Sequence, residues 1–154
     1  MRPDAMSGRA EVTIRLARAD ERLLLEKLQR RASMALGVYS AQLEAHPDAI
    51  VLPIEQIERG QVHVAEVGGQ VAGFAAVLIE GDRAELDGLF VEPERWRQGI
   101  GTALVGAAVH EARREGLALI VVADPGARTF YEQRGFKVEG EAATRFGPAL
   151  RMSK

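Results

Sequence analysis

An α/β sandwich on a mixed, mostly antiparallel sheet is the fold class the sequence predicts, and three observations predict it. Two glycine turns, Gly68-Gly69 and Gly81-Asp82, join three strand-like runs between Gln61 and Val91 into an antiparallel meander. Ile100, Ala103, Leu104, Ala107, Ala108 and Ala112 then fall at helical spacing. The run from Leu117 to Ala123 is almost unbroken apolar sequence, the pattern of a strand covered on both faces. Strand, crossover helix and strand in that order place the two strands parallel through a right-handed crossover.

Each element has its own local signal. Residues 1–10 are small and polar and are expected to form a flexible tail, which leaves 11–154 as a single domain. Val12 to Ala17 alternates and reads as a first strand. Asp20 is the expected N-cap of a helix with Leu23, Leu24, Leu28 and Ala32 on one stripe. Between Gly37 and Arg59 the spacing predicts a short helix over Ser40–Ala45, stopped by Pro47, and another after Pro53. The meander occupies 61–67, 70–80 and 83–91. Gly116 ends the long helix, and Asp124-Pro125 fits the cap and first position of another. Ala127, Phe130, Tyr131 and Arg134 share a face of that helix until Gly135. Residues 136–142 and 149–153 read as two final strands.

Composition narrows the function. The 154 residues are 47% hydrophobic and 27% charged, as in a soluble globular domain. No apolar stretch has the length of a membrane span, and the start lacks the apolar block of a signal peptide, so a cytoplasmic location is expected. Zero cysteines exclude a thiol nucleophile and cysteine-held metal, and His46, His63 and His110 have no metal-site spacing. A net charge of −2 gives no global reason to bind nucleic acid. Any anion site must be local.

The stretch FVEPERWRQGIGTALVGAAV offers one. An apolar strand stops at Pro93, and Gly99 and Gly101 open the long helix. A helix start carries unpaired N–H groups and the positive end of the dipole, and glycines keep side chains out of a ligand's way. The result is a cradle for phosphate or pyrophosphate, with Arg95 and Arg97 at its rim. A nucleotide P-loop would need Lys and Ser/Thr after the second glycine, whereas Thr102-Ala103 follow here. A dinucleotide fingerprint would need a third glycine or alanine where Leu104 stands, and an acid near Val121. A lone Gly-x-Gly is also compatible with a plain strand-to-helix joint.

The wider context resembles the GNAT superfamily of N-acetyltransferases. LDGLFVEPERWRQGIGTALV is similar to its acetyl-CoA motif, apolar-Val-x-Pro and then R/Q-x-x-G-x-G/A. DPGARTFYEQRGF is similar to its later motif, N-x-x-A-x-x-F-Y-x-x-x-G-F. The strong resemblance covers Ala84 to Glu139. Trp96 departs from the R/Q position, and Asp124 from the Asn position. Asp124 can still cap a helix but cannot give an amide donor to pantetheine.

The resemblance implies a GNAT-like α/β/α sandwich whose sheet is splayed at one parallel strand pair, and acetyl-CoA as cosubstrate without a metal. It implies pyrophosphate on the amides of Gln98, Gly99, Ile100, Gly101 and Thr102. Pantetheine would run along Leu89, Phe90 and Val91 as an added strand, near Asp124, Ala127 and Phe130. Phe90 or Val91 would give the N–H for the developing oxyanion. Tyr131 matches the family's general acid, and packing beside Phe130 is the other reading of that ring. Glu85, six residues before Val91, matches the base of histone-type members. Asp87 shares its face by strand alternation. A solvated pair balancing Arg83 is the other reading of these two. His63 is expected to face outward from its strand, and Arg113 and Arg114 to be solvated surface. Tyr39, His46 and Glu55 are candidate acceptor-lining residues. The implied reaction is direct attack by a primary amine, small or on a peptide, with no covalent intermediate, no nucleic acid and no membrane. A homodimer is among the arrangements the resemblance allows. The alternative is a non-catalytic acyl-CoA-binding or regulatory module of the same fold.

Overall fold

The structure is a computed structural model that describes residues 11–37, 40–145 and 147–154. The expected tail over 1–10, and Tyr39, lie outside the described residues. Among the described residues seven strands form one sheet in the order β1-β2-β3-β4-β5-β7-β6. They are β1 (Val12–Leu16), β2 (Val62–Val67), β3 (Gln70–Glu80), β4 (Arg83–Val91), β5 (Leu119–Ala123), β6 (Lys137–Thr144) and β7 (Gly147–Ser153). The helices are α1 (Arg22–Leu36), α2 (Ser40–Ala45), α3 (Ile54–Glu58), α4 (Ile100–Arg114) and α5 (Arg128–Gln133). Every strand pairing is antiparallel except β4 with β5. Among the described residues no helix is long and apolar enough to cross a membrane.

Local chemistry explains the meander. Gly68 and Gly69 adopt φ of 59° and 80°, the left-handed pair that matches the twist of a two-residue hairpin. The core then divides across the sheet. Leu104, Val105 and Ala108 of α4 pack on Ala75, Val77, Leu86, Leu119 and Val121, with Tyr131 and Phe136 joining them. On the other face Leu25 and Leu28 of α1 and Ile57 of α3 pack on Val62, Val64, Phe74 and Ala76. Each such fully buried leucine stabilises the fold by roughly 2–3 kcal/mol.

Strand β4 is irregular in two respects. Its register against β3 shifts between Leu86↔Val77 and Gly88↔Ala76, so Asp87 is the extra residue of a bulge. Ala84 and Leu86 face the α4 cluster before it, and Leu89 and Val91 face that cluster after it. Phe90 is turned to the α1 cluster instead. The bulge thus resets the alternation by one residue. The second irregularity is the parting of β4 from β5. Their pairing covers only Ala84↔Leu119, Glu85↔Ile120 and Leu86↔Val121. Beyond it β4 follows β3 to Val91, and β5 follows β7 to Ala123.

The helix before this sheet departs from expectation. Leu23 and Leu24 are 60% and 46% exposed, and the buried stripe is Leu25, Leu28 and Ala32. A 3-10 turn over Ala19–Glu21 precedes α1, with Asp20 exposed on it rather than capping. Glu21 closes that turn, accepting the Arg18 amide at 2.8 Å and both terminal nitrogens of Arg15 at 3.0 and 2.8 Å. That anchor sets the rotational phase of α1. In β5, Leu119, Val121 and Ala123 are buried but Ile120 and Val122 are only half-buried, so the strand is not fully covered on both faces.

Candidate active site

The parting of β4 and β5 leaves a stretch of β4 backbone with a partner on one side only. Glu92 N donates to Ala72 O of β3 at 2.8 Å, so Glu92 turns its amide inward. Val91 O accepts the Trp96 indole N–H at 2.8 Å, which places the polar groups of Val91 on the opposite, β5 side. By alternation Leu89 presents its amide there too, and Phe90 turns its own toward β3. The open edge therefore carries Leu89 and Val91. Trp96, the departure from the family motif, lies back against β4.

The chain then makes the turn that starts α4. Pro93–Arg95 form a 3-10 turn, Arg95 N donating to Glu92 O at 2.8 Å. Arg97 comes next with φ of 66°, the positive-φ residue other than glycine among the described residues. Gly99 has φ of 83° and is the N-cap. A side chain held in that region costs of order 1–3 kcal/mol, so the turn at Arg97 is imposed by its surroundings. Ile100, 1% exposed, pins the turn into the core. The first intrahelical bond is Ala103 N to Gly99 O at 3.0 Å. The amides of Ile100, Gly101 and Thr102 lie ahead of it with no intrahelical acceptor.

The two glycines divide the work. A Cβ on Gly99 would meet nothing within 4 Å, so this position is open and needs glycine for its φ. A Cβ on Gly101 would stand 3.3 Å from the Phe130 ring. Gly101 thus lets α5 close on the start of α4 and does not simply clear room for a ligand. Arg95 is half-buried, while Arg97, Gln98 and Thr102 are exposed.

Helix α5 supplies the facing wall. Asp124 caps the preceding turn by accepting the Gly126 amide at 2.8 Å, as its place before Pro125 predicts. Ala127 and Phe130 pack on the α4 cluster. Tyr131 is 6% exposed, edge-on to Phe130 at 5.1 Å and to Phe136 at 5.3 Å between ring centroids. Burial pushes its hydroxyl up to about 12. Among the described side chains only His63 Nδ1 is both sealed and unpartnered. The Tyr131 hydroxyl, which has no hydrogen bond among the described residues, therefore keeps access to solvent. Arg134 reaches further than its place on the α5 face predicts. Its Nε and one terminal nitrogen donate to Thr102 Oγ1 at 2.9 and 2.6 Å, and the other terminal nitrogen donates to Phe130 O at 2.7 Å. Its guanidinium carbon stands 3.8 Å over the Phe130 ring. Only a contact across 32 positions of sequence reveals it.

The remaining candidates scatter. Glu85 is half-buried below the point where the strands part, and Asp87 is exposed on the bulge. His46 and Glu55 are exposed near α2 and on α3. His63 does not face outward but is 9% exposed beside Glu111 in a pocket under the far end of α4. Burial lowers its pKa, and Glu111 opposes that shift. Arg114 pairs with Glu111 at 3.2 Å.

Known proteins share this fold. The profile described as "Acetyltransferase (GNAT) family" matches residues 24–136. A probable N-acetyltransferase of Mycobacterium tuberculosis is 31% identical over 96 residues, 58% of this chain and 55% of that protein. An uncharacterized N-acetyltransferase of Methanocaldococcus jannaschii is 33% identical over 85 residues, 48% of this chain and 38% of that protein. The match spans about half or less of these relatives' own length. PaiA N-acetyltransferase from Thermoplasma acidophilum, solved with coenzyme A, superposes with a TM-score of 0.76 at 22% identity, over 94% of this chain and 98% of that one. That likeness is one of fold. YjaB from Escherichia coli, solved in its apo form, gives 0.71 at 26% identity, over 93% and 97%.

Proposed function

The chain belongs to the acetyltransferase (GNAT) family, and on that premise we propose that it moves the acetyl group of acetyl-CoA to a primary amine by direct attack. One observation carries the reading. The gap between β4 and β5 beyond Leu86 and Val121 leads into the turn where Ile100, Gly101 and Thr102 offer unpaired amides. A thioester chain laid along β4 would end at those amides with its diphosphate. The coenzyme A bound in the Thermoplasma fold relative supports that reading.

The residues fit the chemistry. The amides of Leu89 and Val91 pair with pantetheine in the manner of an added strand, and Phe130 backs it. Val91 N–H, rather than that of Phe90, is the donor on the open side for the oxygen that gains charge during attack. Tyr131 stays protonated at any ordinary pH, so it holds the proton that a thiolate of ordinary pKa about 8.5 takes up on leaving. Glu85, through water, is the group proposed to take the proton of the incoming amine, with Asp87 drawing the ammonium toward the site. Arg95, Arg97 and Gln98 rim the diphosphate, and Asp124 and Ala127 fix the start of α5 against it. The acceptor is a small amine or a peptide amino group, with no metal and no nucleic acid involved.

A panel of primary amines, read by release of free coenzyme A and repeated with Tyr131→Phe, tests this. Turnover with at least one amine, reduced in Tyr131→Phe, is expected. Tight acetyl-CoA binding without acetylation of any amine would favour a non-catalytic acyl-CoA-binding module instead.

A further inference from the structure

The pocket under the far end of α4, about 340 Å³ in volume, shares no residue with the open edge of β4 or with the turn that starts α4. Glu111 stands about 16 Å along the helix axis from Ile100. Val77 and Ile79 of β3 give the pocket an apolar lining, and Arg59, His63, Glu111 and Glu115 give it charge and hydrogen-bonding groups. Three features there are unfavourable for the fold as it stands. His63 is 9% exposed and has no hydrogen bond among the described residues. Its Nδ1 is sealed, so Nε2 is the nitrogen that opens to the pocket. A polar ring taken out of water without a partner is a penalty that a ligand would remove. Next, Glu111 and Glu115 stand four residues apart on one face of α4, at its C-terminal end. Like charges at that spacing repel, and the helix dipole disfavours anions at that end. One nitrogen of the exposed Arg114 meets both oxygens of Glu111 at 3.2 and 3.3 Å, which leaves each oxygen room for another donor. Last, Arg59 and Glu115 make no ion pair among the described residues, with each other or with any neighbour. Among the described residues no three imidazole or carboxylate groups gather closely enough for a metal ion, so the cation that suits the pocket is an organic one.

We propose that this pocket binds a free aliphatic amino acid, its ammonium between Glu111 and Glu115, its carboxylate on Arg59 and its side chain against Val77 and Ile79. His63 Nε2 supplies the remaining hydrogen bond, to the polar end of the ligand. A zwitterion answers both signs of charge at once, whereas a plain amine would leave Arg59 opposed and a plain carboxylate would face the two glutamates. The ligand is an effector of the fold and not a reactant, because nothing that lines the pocket lies at the proposed site of acetyl transfer. The inference goes beyond the acetyl-CoA reading and does not depend on it.

Calorimetric titration of the native chain with leucine, leucinamide, 4-methylpentanoate and glycine tests the pocket, with the His63 ring resonances followed by NMR. Leucine should bind and shift the His63 ring. Leucinamide lacks the carboxylate and 4-methylpentanoate lacks the ammonium, and each should bind about tenfold to a hundredfold more weakly, the worth of a charge-assisted hydrogen bond. Glycine, without the aliphatic group, should also be weaker. Arg59→Gln should remove the advantage of leucine over leucinamide, and Glu115→Gln its advantage over 4-methylpentanoate. Both residues are exposed, so neither change should unfold the chain. No leucine binding, or equal affinity for leucine and its two analogues, overturns the pocket and leaves the acetyl-CoA reading intact. Leucine that binds with the His63 ring unmoved, and equally well in both variants, sits in the cleft as an acceptor and overturns the pocket too.

Discussion

Two side chains make the sharpest claims because their surroundings fix the state each one holds. Tyr131 keeps its proton because burial raises its pKa to about 12, beyond the range in which most assays run. Tyr131→Phe preserves the ring contacts with Phe130 and Phe136 and removes only the hydroxyl. We expect kcat to fall by roughly 10²- to 10³-fold with little change in the KM for acetyl-CoA, in steady-state kinetics. The alkaline limb of the pH–rate profile should belong to another group. Arg97 is the converse case, a non-glycine residue at φ 66° in the turn proposed to bind diphosphate. Arg97→Gly should raise the thermal midpoint slightly, by relief of about 1 kcal/mol of backbone strain. The same change should weaken acetyl-CoA, since it removes a rim cation and loosens the turn. A variant both less stable and equally tight would show that the conformation is not strained and not functional.

The bulge in β4 and the tight contact behind it decide which backbone groups are exposed. Gly73 of β3 lies against that stretch, and a Cβ there would fall 2.8 Å from Phe90 O and 3.3 Å from Val91 Cα. Both are backbone atoms of a paired strand and cannot swing away. Gly73→Ala should therefore cost about 2 kcal/mol or more in denaturant unfolding and displace the Leu89–Val91 edge. Acetyl-CoA affinity should drop with it, although the site of change never meets the ligand. The pair between Arg31 of α1 and Glu92 works at the same scale, with contacts of 3.0 and 2.6 Å that tie the helical layer to the β4–α4 turn. Because Arg31 is half exposed, its pair contributes position more than stability.

At the scale of the whole molecule, stability should depend on pH through two buried groups. Glu21 is held below the usual carboxylate range, first by its hydrogen bonds to Arg15. The stability it contributes is present above the unfolded value of about 4.3 and is lost as pH falls through the folded one. His63 is also depressed, by burial, so the unfolded imidazole takes up a proton near pH 6.5 while the folded one resists. Stability should decline as pH drops below about 6.5, and thermal unfolding of His63→Leu should lose that limb while keeping the Glu21 limb. An identical profile in the variant would exclude His63 as the cause. Much of the fold was legible because its signals are local. Glycines at positive φ mark the turns, period-2 and period-3.6 patterns mark the strands and α4, and Asp124-Pro125 marks a cap. The order of these elements predicts the parallel β4–β5 pair that the sheet contains. The sequence could not rank Leu24 against Leu25, seat Trp96 on Val91, turn His63 inward or bring Arg134 to Thr102. Each of those depends on which distant surface a side chain meets, and residues 32 apart in the chain become neighbours only when two helices dock. Periodicity determined where the elements lie and where the amides of α4 begin. The packing of α5 on α4, and the parting of β4 from β5, alone decided what those amides face.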